Sequence, residues 1–441
     1  MDSSGCSGGI AGLNAFLAKG KETLLAALSS SSSSSTPSPL PRCFHLVMGN
    51  RASDLDSMVS SLLHAFFRSL YPLPSCKEEG PHVYLPVFNI PREELAFRTE
   101  SVWLFRQAGL ELPSVLFVDE VDLSSLLSSF EKAGIKVRFV MTDHNKLEKG
   151  QTQFADVVEE IVDHHEDEGL YGPSVQRRVI AKVGSACTLV AEELLQEEGA
   201  AETLLDDVLA KLLAGTIALD TVDFNPNAGR CTDRDIQVFS SLKQRFSSSS
   251  SSSSLPAFDA LAQHLQKAKF DVSSLTSNQL LRKDYKEWDF ELAPSLSHLL
   301  PSSTTKKKLV VGISSFGQSV EQWFKRAEEQ QEDVIVELAK YYRHRALHLL
   351  LVMTSFFLEE EEDFCRELVI YCEGQEMKEL FKHVKTALCD EGELLDLEEN
   401  DKWKEKLSSS SSDVFISVFT QGNVKTSRKV LQPFLADHFC V

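Results

Sequence analysis

The sequence predicts an α/β protein: a mostly parallel sheet with helices on both faces in the first half, then a smaller α+β domain. Three observations predict this class. Short β-rich segments alternate with helical ones up to about residue 246, polar residues recur where those strands stop, and the order of elements changes after residue 256. Such alternation is typical of parallel sheets whose strands are joined by crossover helices.

Five segments of the first half have the length and the apolar, β-branched composition of buried strands. They are 44–50, 83–89, 114–120, 137–143 and 157–163. Residues 55–70 and 123–134, which lie between strands, have the apolar spacing of helices. Polar residues stand where four of these strands stop: Asn50, Asp119, Asp143 and Asp163. Because the carboxyl ends of parallel strands form the ligand crevice of such sheets, we expect a site there.

The second half has fewer helices between its strands, which favours a mixed sheet. The predicted strands are 308–315, 348–357, 367–372 and 414–419. The predicted helices are 257–268, a long charged one at about 318–344, and one near 374–388.

Three serine runs divide the chain, at Ser29–Ser35, Ser247–Ser254 and Ser408–Ser412. Serine tracts cannot bury apolar surface and behave as linkers or loop insertions. We interpret the first two as linkers and the third as a loop insertion, since strand-like sequence resumes directly after it. The predicted organisation is an N-terminal helix with its linker (1–41), a first domain (42–246), a linker (247–256) and a second domain (257–441).

Composition excludes some functions and favours others. A net charge of −20 argues against a protein that binds nucleic-acid phosphates, which would carry a basic stripe. The nine cysteines form no C-x-x-C pair, as expected for reduced thiols inside the cell. The longest apolar run (346–358) is too short to cross a bilayer. The helix-like stretch 12–28 lacks the plan of a signal peptide, although an amphipathic targeting helix stays open. We therefore expect a cytoplasmic protein.

Four short acidic clusters are the candidate site: "GNRASDLDS" (49–57), "TDHN" (142–145), "VDHH" (162–165) and "ALDTVDF" (218–224). Each is weak alone, because aspartates also cap helices and close turns. Several of them fall at the ends of strands of one predicted sheet. Carboxylates gathered there would raise one another's pKa unless cations lay between them. Two divalent metal ions sharing a carboxylate would remove that repulsion and provide a site for hydrolysing phosphates.

In this order and roughly this spacing, the four clusters resemble the four motifs of the DHH phosphoesterase superfamily. The chain is most similar to the branch that contains exopolyphosphatases, prune proteins and family II inorganic pyrophosphatases. The wording "GN…DLDS", with "QKAKFDVSSLTSNQLLRKDYK" (266–286) and "GNVKTSRKVL" (422–431), indicates the exopolyphosphatase/prune group. The resemblance covers about residues 42–435. It implies a DHH metal-binding domain, a DHHA2-like substrate-binding domain, and an active site in the cleft between them.

Carried over residue by residue, the resemblance implies a centre of two divalent ions, Mg²⁺ or Mn²⁺. Its predicted ligands are Asp54, Asp56, Asp143 as the bridge, His164 and Asp220. The resemblance also implies that His165 faces the substrate phosphate and that His144 supports the site. Asn50 stands where the pyrophosphatases have a metal-binding histidine, so its own ligation is uncertain. An amide oxygen is a harder ligand than imidazole and favours Mg²⁺.

The resemblance places substrate-binding cations in the second domain, at Lys286, Arg428 and Lys429. Lysine and arginine suit phosphate, arginine through paired hydrogen bonds. Two further segments of the sequence each allow two interpretations. The amides of "GSACTLV" (184–190) could face phosphate or simply begin a packed helix. The cluster Arg177, Arg178 and Lys182 could guide a polyphosphate chain or be a solvated face.

The resemblance implies an exopolyphosphatase that releases terminal phosphate from short-chain inorganic polyphosphate, with Asp143, His144 and His165 in catalytic roles. Pyrophosphate, nucleoside tetraphosphates and cyclic nucleotides are alternative substrates. A second class is a prune-like regulatory protein with weak phosphodiesterase or pyrophosphatase activity. A nucleic-acid exonuclease is a third, which the acidity of the chain argues against. We expect no membrane partner, and protein partners cannot be read from the sequence.

Overall fold

The computed structural model describes residues 8–30, 41–74, 81–247, 254–301, 308–358, 363–390, 394–407 and 413–440. The third serine run, predicted to be a loop insertion, lies outside these residues, as do most of the other two. The chain forms two compact units, Met1–Asp271 and Val272–Val441.

The first unit is a parallel sheet covered by helices on both faces. In chain order its elements are α1 Gly9–Ser30, β1 Cys43–Met48, α2 Leu55–Leu70, β2 His82–Phe88, α3 Thr99–Ala108, β3 Leu116–Phe117, α4 Leu123–Lys132, β4 Lys136–Thr142, β5 Val158–Asp163, β6 Arg177–Ile180, α5 Ala186–Gln196, α6 Ala200–Leu204, α7 Asp207–Asp220, α8 Asp233–Phe246 and α9 Leu261–Phe270. The strand order is β3-β2-β1-β4-β5-β6, and every pair is parallel. This confirms the predicted fold class for the first half.

The central strands are apolar because both of their faces are covered. Every residue of β1 and β5 is buried, which is the pattern of a sheet that has helices on both sides. The predicted strand 114–120 is shorter than expected: only Leu116–Phe117 pairs, and Val118–Glu120 forms a 3₁₀ turn. The edge strand β6 was not predicted, because its four half-buried residues, "RRVI", carry too weak a pattern.

Helix α1 packs on the first unit, although a serine run was expected to set it apart. Leu13 and Leu17 are fully or nearly fully buried in the same core as α2. The backbone N–H of Ile10 donates a hydrogen bond to the Asp206 carboxylate at 3.0 Å. The apolar stripe of this helix is therefore explained by packing within the first unit.

Helix α9, which follows the second serine run, also belongs to the first unit, where it packs against α3 and α7. The sequence placed the boundary between the domains at 247–256, most of which lies outside the described residues. Leu261 and Leu265 of this helix are fully buried in the core of the first unit. The compact units themselves divide between Asp271 and Val272.

The second unit is built on a mixed sheet, as predicted. Its elements are α10 Ser277–Lys283, β7 Tyr285–Glu291, β8 Lys308–Phe316, α11 Val320–Glu329, α12 Val334–His344, β9 Leu349–Phe357, β10 Phe364–Glu373, α13 Lys378–Asp390, β11 Leu397–Glu399, α14 Asp401–Leu407, β12 Val414–Gln421 and α15 Arg428–Phe439. The strand order of this sheet is β11-β12-β10-β9-β8-β7. Among the described strands of the second unit, β8 and β9 form the only parallel pair, and the other pairs are antiparallel.

Two expectations for this unit were wrong in detail. The long helix at about 318–344 is two helices, α11 and α12, because Gln331 adopts a left-handed conformation (φ 58°) and Asp333 caps a new helix start. The four strands predicted for this unit also omit β7, most of whose residues are exposed or half-buried at the sheet edge. None of the described helices is long and apolar enough to cross a membrane.

Candidate active site

Three neighbouring strands of the first unit bring the predicted motifs to one edge of the sheet. Strands β1, β4 and β5 are adjacent and parallel. Their carboxyl ends carry Asn50, Asp143 and His164 respectively. The backbone N–H of Asp143 donates to the Val162 carbonyl at 2.9 Å, which ties the "TDHN" loop to the "VDHH" strand. This edge is where parallel sheets place their ligands.

Asp54 and Asp56 lie at the start of α2. Asp54 is the N-cap residue and accepts a hydrogen bond from the Ser57 backbone at 3.2 Å, so the helix-cap interpretation is right without excluding a site role. Asp54 is exposed to solvent, but partial loss of hydration around its carboxylate, followed by the charge of the neighbouring Asp56, raises the pKa of Asp54. Asp56 is buried and accepts three hydrogen bonds of 2.6–2.8 Å from the start of α5, donated by Ser185 Oγ and the backbone amides of Ala186 and Cys187.

Those bonds answer one open question about the segment 184–190. The amides of Ala186 and Cys187 bind the Asp56 carboxylate rather than facing a phosphate. A helix N-terminus stabilises negative charge, and here the charge it meets belongs to the protein. The segment therefore orients a predicted ligand.

Asp143 lies at the centre of the cluster in a left-handed conformation (φ 59°), which is uncommon for any residue with a side chain. Its Oδ2 atom accepts hydrogen bonds from Ser57 Oγ at 2.5 Å and Asn50 Nδ2 at 2.7 Å. Its Oδ1 atom faces His164 Nε2 at 3.2 Å. Burial, followed by the charge of Asp56, raises the pKa of Asp143 to about 7.

The two histidines of the "VDHH" motif have different surroundings. His164 is held by its Nδ1 atom, 3.0 Å from the Val183 carbonyl, which leaves Nε2 facing Asp143 and Asp56. Burial disfavours its charged form, but the hydrogen bond to Asp143 and the charge of Asp56 raise the pKa of His164 to about 10. His165 is more exposed, and its Nδ1 atom lies 2.8 Å from Asp163 Oδ1.

Asp220, the last residue of α7, completes the cluster with an unusual feature. Its Oδ2 atom is buried and has no hydrogen-bond partner among the described residues. Burial and the charges of Asp56 and Asp54 raise the pKa of Asp220 well above its ordinary value. A buried polar atom without a partner is rare and costly, and calls for an explanation such as an ion.

Seven predicted residues line one open cavity of about 740 Å³: Asn50, Asp54, Asp56, Asp143, His164, His165 and Asp220. His144 is not among the described residues that line it. His144 is buried instead, with Nδ1 2.9 Å from the Thr142 carbonyl, and burial lowers its pKa.

The donor atoms of this cavity fit divalent cations. Carboxylate oxygens suit Mg²⁺ and Mn²⁺, and imidazole nitrogen is also a common ligand. One ligand atom each of Asp143, His164 and His165 lies within 4.8 Å of the others. Among the described residues, no lysine or arginine forms an ion pair with Asp54, Asp56, Asp143 or Asp220. The partnerless oxygen of Asp220 points to the same conclusion.

Asn50 is arranged to position Asp143. Its Oδ1 atom accepts hydrogen bonds from the backbone amides of Ala52 and Ser53 at 2.8 and 3.2 Å, while its Nδ2 atom donates to Asp143. With both ends of the amide in use, direct ligation would require these bonds to break. In this structure Asn50 holds Asp143 in place through the hydrogen bond that its Nδ2 atom donates.

The predicted substrate-binding cations lie in the second unit, where two distant motifs converge. Arg428 donates to the Asp284 carbonyl at 2.7 Å and to its carboxylate at 2.6 Å, which joins the start of α15 to the residue before β7. Lys286, on β7, and Lys429 are exposed. The basic residues of "RKDYK" and "TSRK" thus belong to one region of that unit.

Of the ambiguous basic cluster, two members are paired. Arg177 contacts Glu160 at 2.8 Å and Glu193 at 2.9 Å, and Arg178 contacts Asp167 at 2.7 Å. Of the three members of this basic cluster, Lys182 is the one that lines the cavity.

Comparison with known proteins agrees with this architecture. Residues 45–217 match the model of the DHH family, N-terminal domain, and residues 263–438 match that of the DHHA2 domain. Exopolyphosphatase PRUNE1 of Mus musculus is 32% identical over 397 residues, covering 90% of this chain and 75% of that protein. The Homo sapiens protein of the same name is 32% identical over 399 residues, covering 90% and 76%.

The chain belongs to the DHH family, in its exopolyphosphatase/prune group. Membership makes it a DHH-family hydrolase with a phosphoesterase role. A Methanococcus jannaschii protein assigned to the family II inorganic pyrophosphatases is similar in structure, with a TM-score of 0.39, 18% identity, and coverage of 90% of this chain and 99% of that one.

Some residues of this DHH site were missed as site residues by sequence reasoning because their role is to orient others. Asp163 accepts hydrogen bonds from the backbone amides of His164 and His165 at 2.7 and 3.2 Å, and so shapes the motif. Ser57 and Ser185 bind Asp143 and Asp56. Asp163, Ser57 and Ser185 were visible in the sequence as parts of quoted motifs, but nothing in the sequence pairs Ser57 with Asp143 or Ser185 with Asp56.

Proposed function

We propose that the protein hydrolyses phosphoanhydrides with two divalent cations, Mg²⁺ or Mn²⁺, and that it releases terminal phosphate from short-chain inorganic polyphosphate. One observation carries the proposal. Four aspartates and a histidine from distant parts of the chain line one cavity, with no lysine or arginine among the described residues paired to those acids. Carboxylates in such a state need cations between them.

The residues that would hold these ions are Asp54, Asp56, Asp143, His164 and Asp220, with Asp143 as the shared ligand. Bound there, divalent cations would supply an activated water and neutralise phosphoryl oxygens. The chain's own contribution is orientation. Ser57 and Asn50 fix one oxygen of Asp143, the start of α5 fixes Asp56, and the Val183 carbonyl holds His164 with Nε2 directed at the acids.

His165 and His144 have supporting roles in this proposal. His165 is accessible and its Nδ1 atom is held by Asp163, so its other nitrogen is available to a phosphate oxygen. His144 would act behind the cavity wall through the conformation of the "TDHN" loop, where its Nδ1 atom contacts the Thr142 carbonyl.

Lys286, Arg428 and Lys429 would bind the distal phosphates of the substrate. Arginine can pair with two phosphate oxygens at once, and lysine provides a compact point charge. The hydrogen bonds from Arg428 to Asp284 hold its guanidinium in a defined orientation. These cations would also stabilise charge that develops on the leaving group.

The test is phosphate release from a panel of substrates by the purified full chain. The panel contains tripolyphosphate, longer polyphosphates, pyrophosphate, a nucleoside tetraphosphate, a cyclic nucleotide and single-stranded DNA, each with Mg²⁺, Mn²⁺ or Co²⁺. We expect turnover of tripolyphosphate at rates typical of enzymes, which chelation abolishes and added Mg²⁺ restores. No turnover of any phosphoanhydride with any of the metals would refute the proposal and favour a regulatory role.

A further inference from the structure

The cavity has a second set of lining residues to which the roles above assign nothing. They come from the segment after β6 and from the loop between α7 and α8, and include Lys182, Gly184, Arg230 and Thr232. Lys182 and Arg230 are exposed, and neither forms an ion pair with a described residue. In contrast, Arg177 and Arg178, on the strand just before, are both paired to carboxylates.

A buried carboxylate clamps these two segments together. Asp235 is fully buried at the start of α8 and accepts hydrogen bonds from the Thr232 backbone at 2.8 Å and the Thr232 hydroxyl at 2.7 Å. It also accepts from the Gly184 backbone at 2.9 Å and the Thr188 hydroxyl at 2.6 Å. One side chain thus joins the starts of α5 and α8, and fixes the loop that carries Arg230.

The same two segments also touch through their backbones. A Cβ atom on Gly184 would lie 2.7 Å from the Arg230 carbonyl oxygen and 2.5 Å from Thr221 Cγ2. Any other residue at position 184 would therefore push the Arg230 loop away. Such close packing makes Arg230 a cation on a rigid support rather than one on a loose loop.

The chain reaches this position through a tight turn directly after the ligand Asp220. Val222, Asp223 and Phe224 are consecutive and left-handed, with φ of 53°, 54° and 58°. Non-glycine residues rarely adopt this conformation because it is strained, and such residues cluster at functional sites. The turn is held by a 2.7 Å hydrogen bond from the Asp223 backbone to the Ala218 carbonyl, and it leads the chain back to the cavity.

The charge balance of the cavity explains how Lys182 and Arg230 would favour the binding of an anionic substrate. Four aspartates carry four negative charges, and two divalent cations would carry four positive ones. The metal centre is then close to neutral by itself, while a polyphosphate brings several further negative charges. Uncompensated charge in a partly buried site is unfavourable, so additional cations beside the metals are needed for tight binding.

We propose that Arg230, assisted by Lys182, forms a phosphate subsite on the wall of this same cavity. Its ligand is the phosphoryl group of a polyphosphate next to the group that is hydrolysed. The inference rests on the proposed function, because it takes a condensed phosphate as the ligand. Arg230 binds two oxygens of that group through its planar guanidinium, and Lys182 contributes a point charge.

The test compares Arg230→Gln and Lys182→Gln with the control Arg234→Gln. Arg234 lies on helix α8 and pairs with Glu192. It is not one of the described residues that line the cavity. Calorimetry measures binding of an imidotriphosphate in which both bridges are P–N–P, and therefore resist hydrolysis, to each variant of the 441-residue chain at saturating Mg²⁺. A second titration measures binding of Mg²⁺ alone, and steady-state assays give KM and kcat for tripolyphosphate.

We expect Arg230→Gln to weaken binding of imidotriphosphate by about tenfold to a hundredfold, the effect of losing hydrogen bonds to a charged group. Lys182→Gln should weaken it roughly threefold, as expected for an exposed charge. Binding of Mg²⁺ should match wild type in both, and Arg234→Gln should bind normally. Arg230→Lys should recover part of the loss, which a fault in folding would not allow.

The outcomes separate the two proposals. If wild type turns over tripolyphosphate and Arg230→Gln binds imidotriphosphate as tightly as wild type does, the subsite is refuted and the proposed function stands. If wild type neither binds nor hydrolyses any condensed phosphate with Mg²⁺ or Mn²⁺, the proposed function fails and the subsite with it. Equal losses in Arg230→Gln and Arg234→Gln would also refute the subsite, since they would indicate a general effect of charge.

Discussion

Two groups of acids in the first unit, each built around buried carboxylates, are compensated in opposite ways. The aspartate cluster consists of Asp54, Asp56, Asp143 and Asp220 with His164. The glutamate cluster consists of Glu160 and Glu193 with His64, Arg68 and Arg177. Three side chains of the glutamate cluster have ligand atoms close enough together to hold a metal ion, and so do Asp143 and His164 of the aspartate cluster together with the adjoining His165. Proximity alone therefore does not distinguish the two clusters.

The glutamate cluster is neutralised from within the protein. Arg68 contacts Glu160 at 2.6 Å and Glu193 at 2.5 Å, Arg177 bridges the same two acids, and His64 lies 3.1 Å from Glu160. Burial alone would raise the pKa of Glu160, but His64 and Arg68 outweigh burial and hold that pKa far below its usual value. Such a group needs no external ion.

The aspartate cluster has the opposite electrostatics. Burial and mutual repulsion raise the pKa values of Asp54, Asp143 and Asp220. Only histidine forms ion pairs with these acids within the described part of the chain. The comparison teaches that a functional cation site is recognised less by how many acids meet than by whether the protein supplies their counter-charge.

The largest expected effect tests whether the aspartate cluster is catalytic. Asp143→Asn removes the charge that the proposed ions would share, while its size and its hydrogen bonds from Ser57 and Asn50 can largely persist. We expect phosphate release from tripolyphosphate to fall on the order of 10³-fold or more, the scale of loss when one member of a catalytic unit is removed. Unchanged circular dichroism would confirm that the fold persists. Normal turnover by this variant would refute the proposal that the aspartate cluster is catalytic.

The next effect concerns stability and has opposite signs in the two clusters. Glu160→Gln leaves Arg68 and Arg177 with too little counter-charge, so we expect it to lower the free energy of unfolding by about 3–5 kcal/mol. Burial and the neighbouring aspartates disfavour the charged form of Asp220, so Asp220→Asn should make the metal-free protein more stable at a pH where that carboxylate is ionised. Urea denaturation in the presence of a chelator measures both. If Asp220→Asn were as destabilising as Glu160→Gln, the two clusters would not differ as described.

A third effect is the pH dependence of the metal-free protein. The folded pKa values of Asp143 (about 7, against 3.8) and His164 (about 10, against 6.5) are both raised. The folded state therefore binds more protons than the unfolded state, and its stability falls as pH rises through these values. The contribution of Glu160 is constant in this window, because its lowered pKa causes losses only in acid.

Thermal unfolding in chelator at about pH 5, 7 and 9 measures this third effect, since linkage predicts a melting temperature that declines with pH. Added Mg²⁺ should raise the melting temperature most at the highest pH, because ligands must lose their protons to bind a metal. A melting temperature that instead rose with pH in chelator would contradict the assigned electrostatics.

The smallest effect tests how the aspartate cluster is oriented. Ser57→Ala removes the 2.5 Å hydrogen bond to Asp143, and we expect Mg²⁺ affinity to fall about tenfold, as for other residues that orient metal ligands. Activity should recover at saturating Mg²⁺. The matched control is Ser61→Ala, which removes a buried hydroxyl of the same helix that donates only to the Met58 carbonyl. Equal effects of both changes would assign Ser57 a packing role.

Much of the fold was predictable because local patterns carry it. The helix at 55–70 has the bounds that its apolar spacing predicts, and strands β1, β2, β4 and β5 begin and end within two residues of expectation. Elements at exposed edges were missed, such as β6 and β7, because their side chains alternate little between buried and exposed. The break between α11 and α12 was missed because Gln331 gives no sign of its left-handed backbone.

The sequence predicted which residues would meet at the candidate site, but it did not predict which other residues hold them in place by hydrogen bonds. Asp143 meets Ser57 across 86 residues of chain, and Asp56 meets Ser185 across 129. No local spacing encodes such a pair. The same holds for Asp235, an ordinary helix cap in the sequence, which in the fold joins two walls of the cavity.

By itself the sequence determined which chemical groups are available and that several acids stand at the ends of neighbouring strands, because strand length and helix spacing are local properties. Only the tertiary structure decided which buried acids receive arginines. Arg68 approaches Glu160 of β5 from helix α2, and Arg177 approaches it from the neighbouring strand β6, while no arginine of the described chain pairs with Asp143. The energy of a buried charge depends on what surrounds it in space, and that surrounding exists only after the chain has folded.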